Sequence, residues 1–138
     1  MSTSTTDLKV GDVLLGLDRI PVMSARSLLK EALEEMTRRR LGIATIVDDA
    51  GRLVGIFTDG DIRRMLLKDQ KPFSALFVDD AIRHANRKPT SVRPDLPLVE
   101  AVRMMEAKEI WDLPVVDAQG KLLGLLHLHP AVKRLLGI

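Results

Sequence analysis

Two stretches of the sequence decide the fold, because they repeat one pattern. Residues 45–61 read TIVDDAGRLVGIFTDGD, and residues 114–130 read PVVDAQGKLLGLLHLHP. Each stretch has a β-rich run, a turn that ends in glycine, and a second apolar run, which together predict a β-hairpin. Gly120 stands 69 residues after Gly51, and this offset aligns the two hairpins without a gap.

The same offset aligns the helices before the hairpins. Apolar residues recur there at spacings of 3, 4 and 7, which predicts one buried stripe on each helix. The stripes are Leu29, Ala32, Leu33 and Met36 in the first copy and Leu98, Ala101, Val102 and Met105 in the second. Ser27 is a candidate cap for the first of these helices. Another helix is expected to begin near Gly60, with Ile62, Met65 and Leu66 facing inward.

Each copy therefore has the order β-α-β-β-α, with residues 20–23 as the first strand of copy one. A repeat of this kind implies that the copies bury one another's apolar faces. We expect an α/β fold of two pseudo-symmetric repeats packed sheet to sheet. The expected boundaries are a disordered N-terminus at residues 1–7, repeat 1 at residues 8–70 and repeat 2 at residues 71–138. Short helices are expected around residues 10–15 and 79–84.

Composition excludes several classes of protein. The 138 residues are 46% hydrophobic and 29% charged, with a net charge of +2 and four aromatic residues, which is not the profile of a nucleic-acid-binding protein. The lack of cysteine excludes disulfide scaffolds, thiol nucleophiles and cysteine-ligated zinc. No apolar run approaches the ~20 residues of a membrane span, and residues 1–7 do not read as a signal peptide. We expect a cytoplasmic protein without nucleic-acid or membrane partners.

The junction at residues 58–61 has the residue types of an anion and diol site. The positive end of a helix dipole favours an anion, and a glycine such as Gly60 allows close backbone approach. Thr58 offers a hydroxyl, Asp61 can accept hydrogen bonds from a ribose-like diol, and Arg63 and Arg64 can neutralise a phosphate if they face the site. Two aspartates, Asp59 and Asp61, disfavour a triphosphate. The alternative is structural, in that Thr58 or Asp59 simply caps the helix.

The second copy differs at the matching positions, where Thr58 becomes His127 and Gly60 becomes His129. If the strand continues, these histidines lie on the same side, where they contact a phosphate or carboxylate, bind a metal, or are merely exposed. No third ligand is evident, so no metal site is predicted.

Further segments are expected to line the same site. Trp111 either stacks a base or belongs to the core or an interface. The full set of lining positions is Ile20, Pro21, Arg40, Gly42, Ile43, Thr90, Ser91, Trp111, Asp112, Leu113 and Pro114.

This pattern resembles the CBS domain in its tandem form, the Bateman module. The resemblance rests on the two hairpins, the paired helices and residues 55–61, GIFTDGD, which fit the family pattern of glycine, two apolar residues, Thr or Ser, two residues of any kind, and Asp. It covers about residues 8–138. It implies a regulatory ligand, with AMP or ATP the usual choice, and association into a homodimer.

A narrower resemblance points to one enzyme family. Residues 57–64, FTDGDIRR, together with residues 123–129, LGLLHLH, are similar to the regulatory C-terminal half of bacterial D-arabinose-5-phosphate isomerases. In that family a sugar-isomerase (SIS) domain precedes the CBS pair, and the product feeds synthesis of the sugar acid Kdo for lipopolysaccharide or capsule. The resemblance makes CMP-Kdo a further candidate ligand.

We therefore expect a sensor rather than an enzyme. A chain of 138 residues leaves no room for the isomerase domain, and it holds no P-loop, Ser-x-x-Lys or Gly-x-Ser-x-Gly motif. The expected function is nucleotide or nucleotide-sugar sensing for an arabinose-5-phosphate isomerase, with no catalytic residue, no metal and no required cofactor. The alternative is an oligomerisation scaffold without ligand sensing.

Overall fold

The structure is a computed structural model that describes residues 7–138. The expected disorder at residues 1–6 lies outside the described residues. The strands are β1 (Leu15–Gly16), β2 (Val22–Ser24), β3 (Ile43–Val47), β4 (Leu53–Thr58), β5 (Asp112–Val116) and β6 (Leu122–His127). The helices are α1 (Leu29–Arg39), α2 (Asp59–Lys68), α3 (Phe73–Phe77), α4 (Leu98–Lys108) and α5 (Leu128–Leu136). Short 3-10 turns cover Val10–Asp12, Leu17–Arg19 and Ala81–His84.

The chain forms two compact units with one three-stranded sheet each. The first unit is Asp18–Pro89, and the second joins the described residues through Leu17 to Thr90–Ile138. The sheet of the first unit has the order β2-β3-β4, and that of the second has the order β1-β6-β5. In both sheets the hairpin strands are antiparallel, and the register shifts at the same point, before Val47 and before Val116. The α/β class and the duplicated unit are thus confirmed.

The two hairpin turns are built alike. Asp48 Oδ1 accepts hydrogen bonds from Ala50 N and Arg52 N, each at 2.9 Å. Asp117 makes the same pair of bonds with Gln119 N and Lys121 N. Gly51 has φ +83° and Gly120 has φ +81°, in the left-handed region that glycine adopts without strain. This turn chemistry sets the register, and the register sets which residues meet at the far end of each hairpin.

Each unit has its own apolar core on one face of its sheet. In the first unit Leu29, Ala32 and Met36 of α1 pack with Phe57 of β4. In the second, Leu98, Ala101 and Met105 of α4 pack with Leu126 of β6. The predicted helical stripes are therefore the core-facing residues, because only this face of each helix contacts the sheet.

The segments that precede the two repeats are exchanged between the units. The second unit contains residues 8–17, which the sequence places with repeat 1, and the first contains residues 71–89, placed with repeat 2. Val10 N donates to Leu96 O at 2.9 Å, and Ala81 N donates to Ser27 O at 2.8 Å. Val10 and Ala81 are fully buried, so residues 8–17 complete the core of the repeat that is distant in sequence, and residues 71–89 complete the core of the repeat that they directly follow.

Several local predictions differ from the structure. The first strand is Val22–Ser24 rather than residues 20–23, and helix α3 was not predicted from the sequence. Ser27 does not cap α1; its Oγ accepts from Ser24 N, and Leu28 N donates to Glu31 Oε1 instead. Leu66 is 44% exposed rather than inward-facing. No helix within residues 7–138 is long and apolar enough to cross a membrane.

Candidate functional site

Thr58 and Asp61 form a reciprocal cap where β4 meets α2. Thr58 N and Thr58 Oγ1 donate to Asp61 Oδ2 at 2.8 and 3.0 Å, and Asp61 N donates back to Thr58 Oγ1 at 3.3 Å. The capping role weighed from the sequence is therefore present, with Thr58 rather than Asp59 as the cap. The same bonds hold the Asp61 carboxylate in one orientation, with its second oxygen, Oδ1, pointing away from the cap.

Arg64 forms a hydrogen bond with that second oxygen. Its Nη2 donates to Asp61 Oδ1 at 2.7 Å, while the Arg64 side chain is 65% exposed and that of Asp61 is 13% exposed. A Cβ atom on Gly60 would lie 3.3 Å from the Arg64 guanidinium, so glycine leaves room for it to lie over the start of α2. Of the two predicted arginines, Arg63 is exposed, and Arg64 is the one that contacts Asp61. The spacing of three residues from Asp61 on a helix is the signal that identifies it.

Asp59 is held against the loop that leads into β3. Asp59 N donates to Gly42 O at 3.1 Å. A Cβ on Gly42 would lie only 2.5 Å from an Asp59 carboxylate oxygen, so a side chain at this position would displace that carboxylate. Arg40 ends α1 in the left-handed conformation with φ 57°, which turns the chain towards Gly42. Ile43 pairs with Thr58 in the sheet.

The remaining predicted positions of the first unit lie at the sheet edge. Pro21 O accepts hydrogen bonds from Thr45 N at 3.0 Å and from Thr45 Oγ1 at 2.7 Å. The side chains of Ile20 and Ile43 are both 2% exposed, and Pro21 is buried. These residues shape the walls of the junction through their backbone, since their side chains belong to the core.

The second unit repeats the backbone and changes the chemistry. Leu128 N donates to Trp111 O at 2.9 Å, which is the bond between Asp59 and Gly42 shifted by the repeat offset. Asp112 pairs with His127 in the sheet, and His127 Nδ1 donates to Asp112 Oδ1 at 2.7 Å. The side chain of His127 is 27% exposed, so one edge of its ring faces solvent.

The two histidines do not share one side of a strand, which corrects the sequence interpretation. β6 ends at His127 and α5 begins at Leu128, so the exposed His129 lies in the first helical turn. Trp111 is 69% exposed, which rules it out as a core residue of its unit and leaves its indole open to contact. Within residues 7–138 no group of three or more His, Asp or Glu side chains is arranged to hold a metal ion.

The other predicted positions of the second unit lie in β5 or in the segment that pairs with it. Val92 forms a parallel bridge with Val115, and Val92 N donates to Pro114 O at 3.0 Å. Thr90 and Ser91 precede this bridge and are half-buried and exposed respectively, whereas Leu113 and Pro114 are buried. Each unit thus carries one complete junction, with a carboxylate acceptor in the first and a His–Asp pair in the second.

Comparison with known proteins agrees with this architecture. The sequence model of the CBS domain matches residues 10–68 and 78–129. The structure of CBSX2 from Arabidopsis thaliana in complex with AMP has a TM-score of 0.82 and 28% identity, and the match covers 94% of this chain and 97% of that one.

Longer relatives match over nearly the whole of this chain. An uncharacterized protein of Helicobacter pylori strain J99 is 40% identical over 124 residues, which is 88% of this chain and 36% of the relative. Arabinose 5-phosphate isomerase KdsD of Yersinia pestis is 36% identical over 126 residues, which is 91% of this chain and 37% of the isomerase. The chain therefore spans little more than a third of these relatives' length. With both repeats matched and the duplicated unit observed, the chain belongs to the CBS domain family.

Proposed function

We propose that this CBS pair is a regulatory sensor that binds an adenine nucleotide, AMP in the first instance, at the junction of residues 58–61. The observation that carries the proposal is the Asp61 carboxylate. Thr58 fixes one of its oxygens through two hydrogen bonds, and the other accepts from the exposed guanidinium of Arg64. A carboxylate oxygen accepts more than one hydrogen bond, so Oδ1 is a preoriented acceptor for a ribose diol.

The phosphate is expected near the N-terminus of α2. The first turn of α2 lies at the positive end of the helix dipole, which favours an anion. Arg64 is long and exposed enough to exchange its contact with Asp61 for a contact with phosphate. Asp59 and Asp61 lie in that first turn, so a monophosphate suits the junction better than a triphosphate.

The relatives support this choice of ligand and extend it to a regulated partner. CBSX2, 28% identical, binds AMP. The arabinose 5-phosphate isomerases suggest that this chain regulates a sugar-phosphate isomerase through a linked SIS domain. CMP-Kdo and ATP are the alternative ligands under the same proposal. Binding regulates the partner only if the ligand has different affinities for two arrangements of the protein.

Calorimetric titration of the chain with AMP, ATP, CMP and CMP-Kdo tests the proposal. We expect AMP to bind, Asp61→Asn to weaken it at least tenfold, and Asp49→Asn to leave it within twofold. Asp49 is the matched control, since it is an exposed aspartate in the hairpin turn at the opposite end of β4. Absence of binding by all four nucleotides at millimolar concentration would end the sensor proposal.

A second candidate function, the oligomerisation scaffold, is favoured by exposed apolar side chains. Leu67 is 82% exposed, Phe73 is 63% exposed and Val78 is 66% exposed, all in the first unit. Covering them in a homodimer would bury this apolar surface. Sizing of the chain with and without AMP separates the candidates. A dimer that is indifferent to AMP and to Asp61→Asn favours the scaffold.

A further inference from the structure

A groove of about 650 Å³ lies wholly within the first unit, between α2 and the linker that follows it. One wall is the face of α2 that carries Arg64 and Lys68, and the other is the linker at residues 83–85. Residues 69–71 close one end. The nucleotide proposal uses none of these linker residues, although Asp61 and Arg64, which it does use, border the same groove on the side of α2.

Cations outnumber carboxylates around this groove. Four basic side chains border it, and Lys71 and Arg83 share one carboxylate, that of Asp79, at 3.5 and 3.7 Å. Lys68 forms no ion pair within residues 7–138. The carboxylates that border the groove itself are Asp61, engaged by Arg64, and Asp69, which lies 3.6 Å from His84 Nδ1. A concave surface with excess positive charge concentrates small anions.

The floor of the groove is fixed in place. His84 Nε2 donates to Asp79 Oδ2 at 2.9 Å, and the side chains of His84 and Asp79 are only 11% and 12% exposed. This bond ties the 3-10 turn Ala81–His84 to the chain just after α3. The cations at the rim therefore stand over a preformed surface rather than a mobile loop, which lowers the entropic cost of binding.

We propose that this groove is a second ligand site, for a small phosphorylated sugar. Lys68 and Arg83 stand on opposite walls and bind the phosphate from two sides, with the guanidinium offering paired donors. The volume is far larger than a phosphate ion needs and lies within the range of small-molecule sites, roughly 300–1,000 Å³. The amide of Gln70 and the carboxylate of Asp69, which border the rest of the groove, are suited to sugar hydroxyls rather than to an apolar group.

Titration followed by amide chemical shifts tests this site on the full chain. The probes are glucose 6-phosphate, glucose and inorganic phosphate, none of which carries a ribose. We expect glucose 6-phosphate to bind most tightly, with its largest shifts at residues 69–71 and 83–85. The double variant Lys68→Gln, Arg83→Gln should weaken it at least tenfold. The matched control is Arg87→Gln, Lys88→Gln, which removes the same two charges from exposed linker positions outside the groove.

Three results would overturn the inference. Equal loss of affinity in the two double variants would mean that net charge alone attracts the anion. Equal affinity for inorganic phosphate and glucose 6-phosphate would remove the sugar from the proposal. Shifts at residues 58–60 with none at residues 69–71 or 83–85 would place the ligand at the nucleotide junction. Because Lys68→Gln, Arg83→Gln leaves Thr58 and Asp61 intact, AMP binding by this variant reports separately on the nucleotide proposal.

Discussion

His127 Nδ1 lies 2.7 Å from Asp112 Oδ1 across β5 and β6, at the pair of positions where the first unit has Thr58 opposite Ile43. The two repeats have thus kept one backbone, with a threonine–isoleucine pair in the first and a histidine–aspartate pair in the second. The first junction presents a carboxylate acceptor, and the second presents an imidazole held by a carboxylate. The duplicated fold therefore has two junctions with different chemistry.

The bond between Asp112 and His127 should be measurable as a coupling energy. A double-mutant cycle with Asp112→Asn and His127→Gln is expected to give about 1–3 kcal/mol, the range of a hydrogen bond to a charged group. The measurement is urea unfolding of the wild type, both single variants and the double variant. Additivity within about 0.5 kcal/mol would show that the two side chains do not interact in solution.

Much of the fold follows from local patterns in the sequence. The stripe of Leu29, Ala32 and Met36 and the turn glycines Gly51 and Gly120 each report on their immediate neighbours, and they reappear in the structure as predicted. The exchanged segments could not be found in this way. Val10 is buried against a repeat some 80 residues away in sequence, and no local periodicity encodes that pairing.

The site was predictable in part. The GIFTDGD motif leads to Thr58 and Asp61, which do meet. The contact between Asp112 and His127 was available by counting outward from the Asp117 turn, because the turn type sets the register. The position of His129 was predicted wrongly because the prediction continued strand β6 past His127, where the helix α5 begins. Arg64 rather than Arg63 contacts Asp61 because residues three apart lie on the same face of a helix, whereas residues two apart do not.

Because the N-terminal segment pairs with β6, substituting alanine for Gly124 should destabilise the protein more than substituting alanine for Gly120. A Cβ on Gly124 would clash with the Leu15 carbonyl oxygen and with Leu14, whereas nothing lies within 4 Å of a Cβ on Gly120. Gly124→Ala is expected to cost about 1–3 kcal/mol, the usual range for overpacking, and to separate β1 from β6. Gly120→Ala is the control and should cost about 1 kcal/mol for its left-handed backbone.

Thermal and urea unfolding of both variants, with hydrogen exchange at Leu15 and Leu125, provide the measurement. These two residues face each other where β1 pairs with β6. If Gly124→Ala proves no more costly than Gly120→Ala and leaves that exchange unchanged, the N-terminal segment does not pair with β6 as described.

The contacts of Asp79 predict that the free energy of unfolding falls in acid. The hydrogen bond from His84 holds the pKa of the Asp79 carboxyl below its usual value of 3.8; burial opposes this shift, and Lys71 and Arg83 reinforce it. A carboxyl with a lower pKa in the folded chain stabilises it above the unfolded pKa, and this contribution disappears as the pH falls through the folded value. The free energy of unfolding should therefore decrease below about pH 4 more steeply in the wild type than in Asp79→Asn.

Urea unfolding at pH 7, 4 and 3 measures this difference. Asp80→Asn is the matched control, since Asp80 is the exposed neighbour whose side chain does not cap the 3-10 turn that follows. Two results would contradict the role assigned to the bond with His84. One is that the free energy of unfolding depends on pH equally in the wild type and in Asp79→Asn. The other is that Asp79→Asn and Asp80→Asn reduce this pH dependence by the same amount.

Replacing Arg64 should increase the affinity of the protein for an uncharged nucleoside. Under the proposed function, Arg64 competes with the ribose diol for Asp61 Oδ1. Arg64→Gln should therefore raise the affinity for adenosine by up to about fivefold, which corresponds to the free energy of an exposed ion pair. The same variant should weaken AMP relative to adenosine because it loses a phosphate contact. Arg52→Gln, at the far end of β4, is the charge-matched control.

Calorimetry with both ligands checks this prediction. An unchanged ratio of adenosine to AMP affinity in Arg64→Gln would mean that Arg64 contacts neither the diol position nor the phosphate.

A crystal structure of the chain with bound AMP tests the central claim most directly. The quantity to measure is the distance from the ribose hydroxyl oxygens to Asp61 Oδ1. We expect a hydrogen bond of about 2.5–3.0 Å, with the bonds from Thr58 to Asp61 Oδ2 intact and the Arg64 guanidinium moved off Oδ1. AMP bound elsewhere, with Arg64 still bonded to Asp61, would contradict the account and leave the Thr58–Asp61 pair as a helix cap alone.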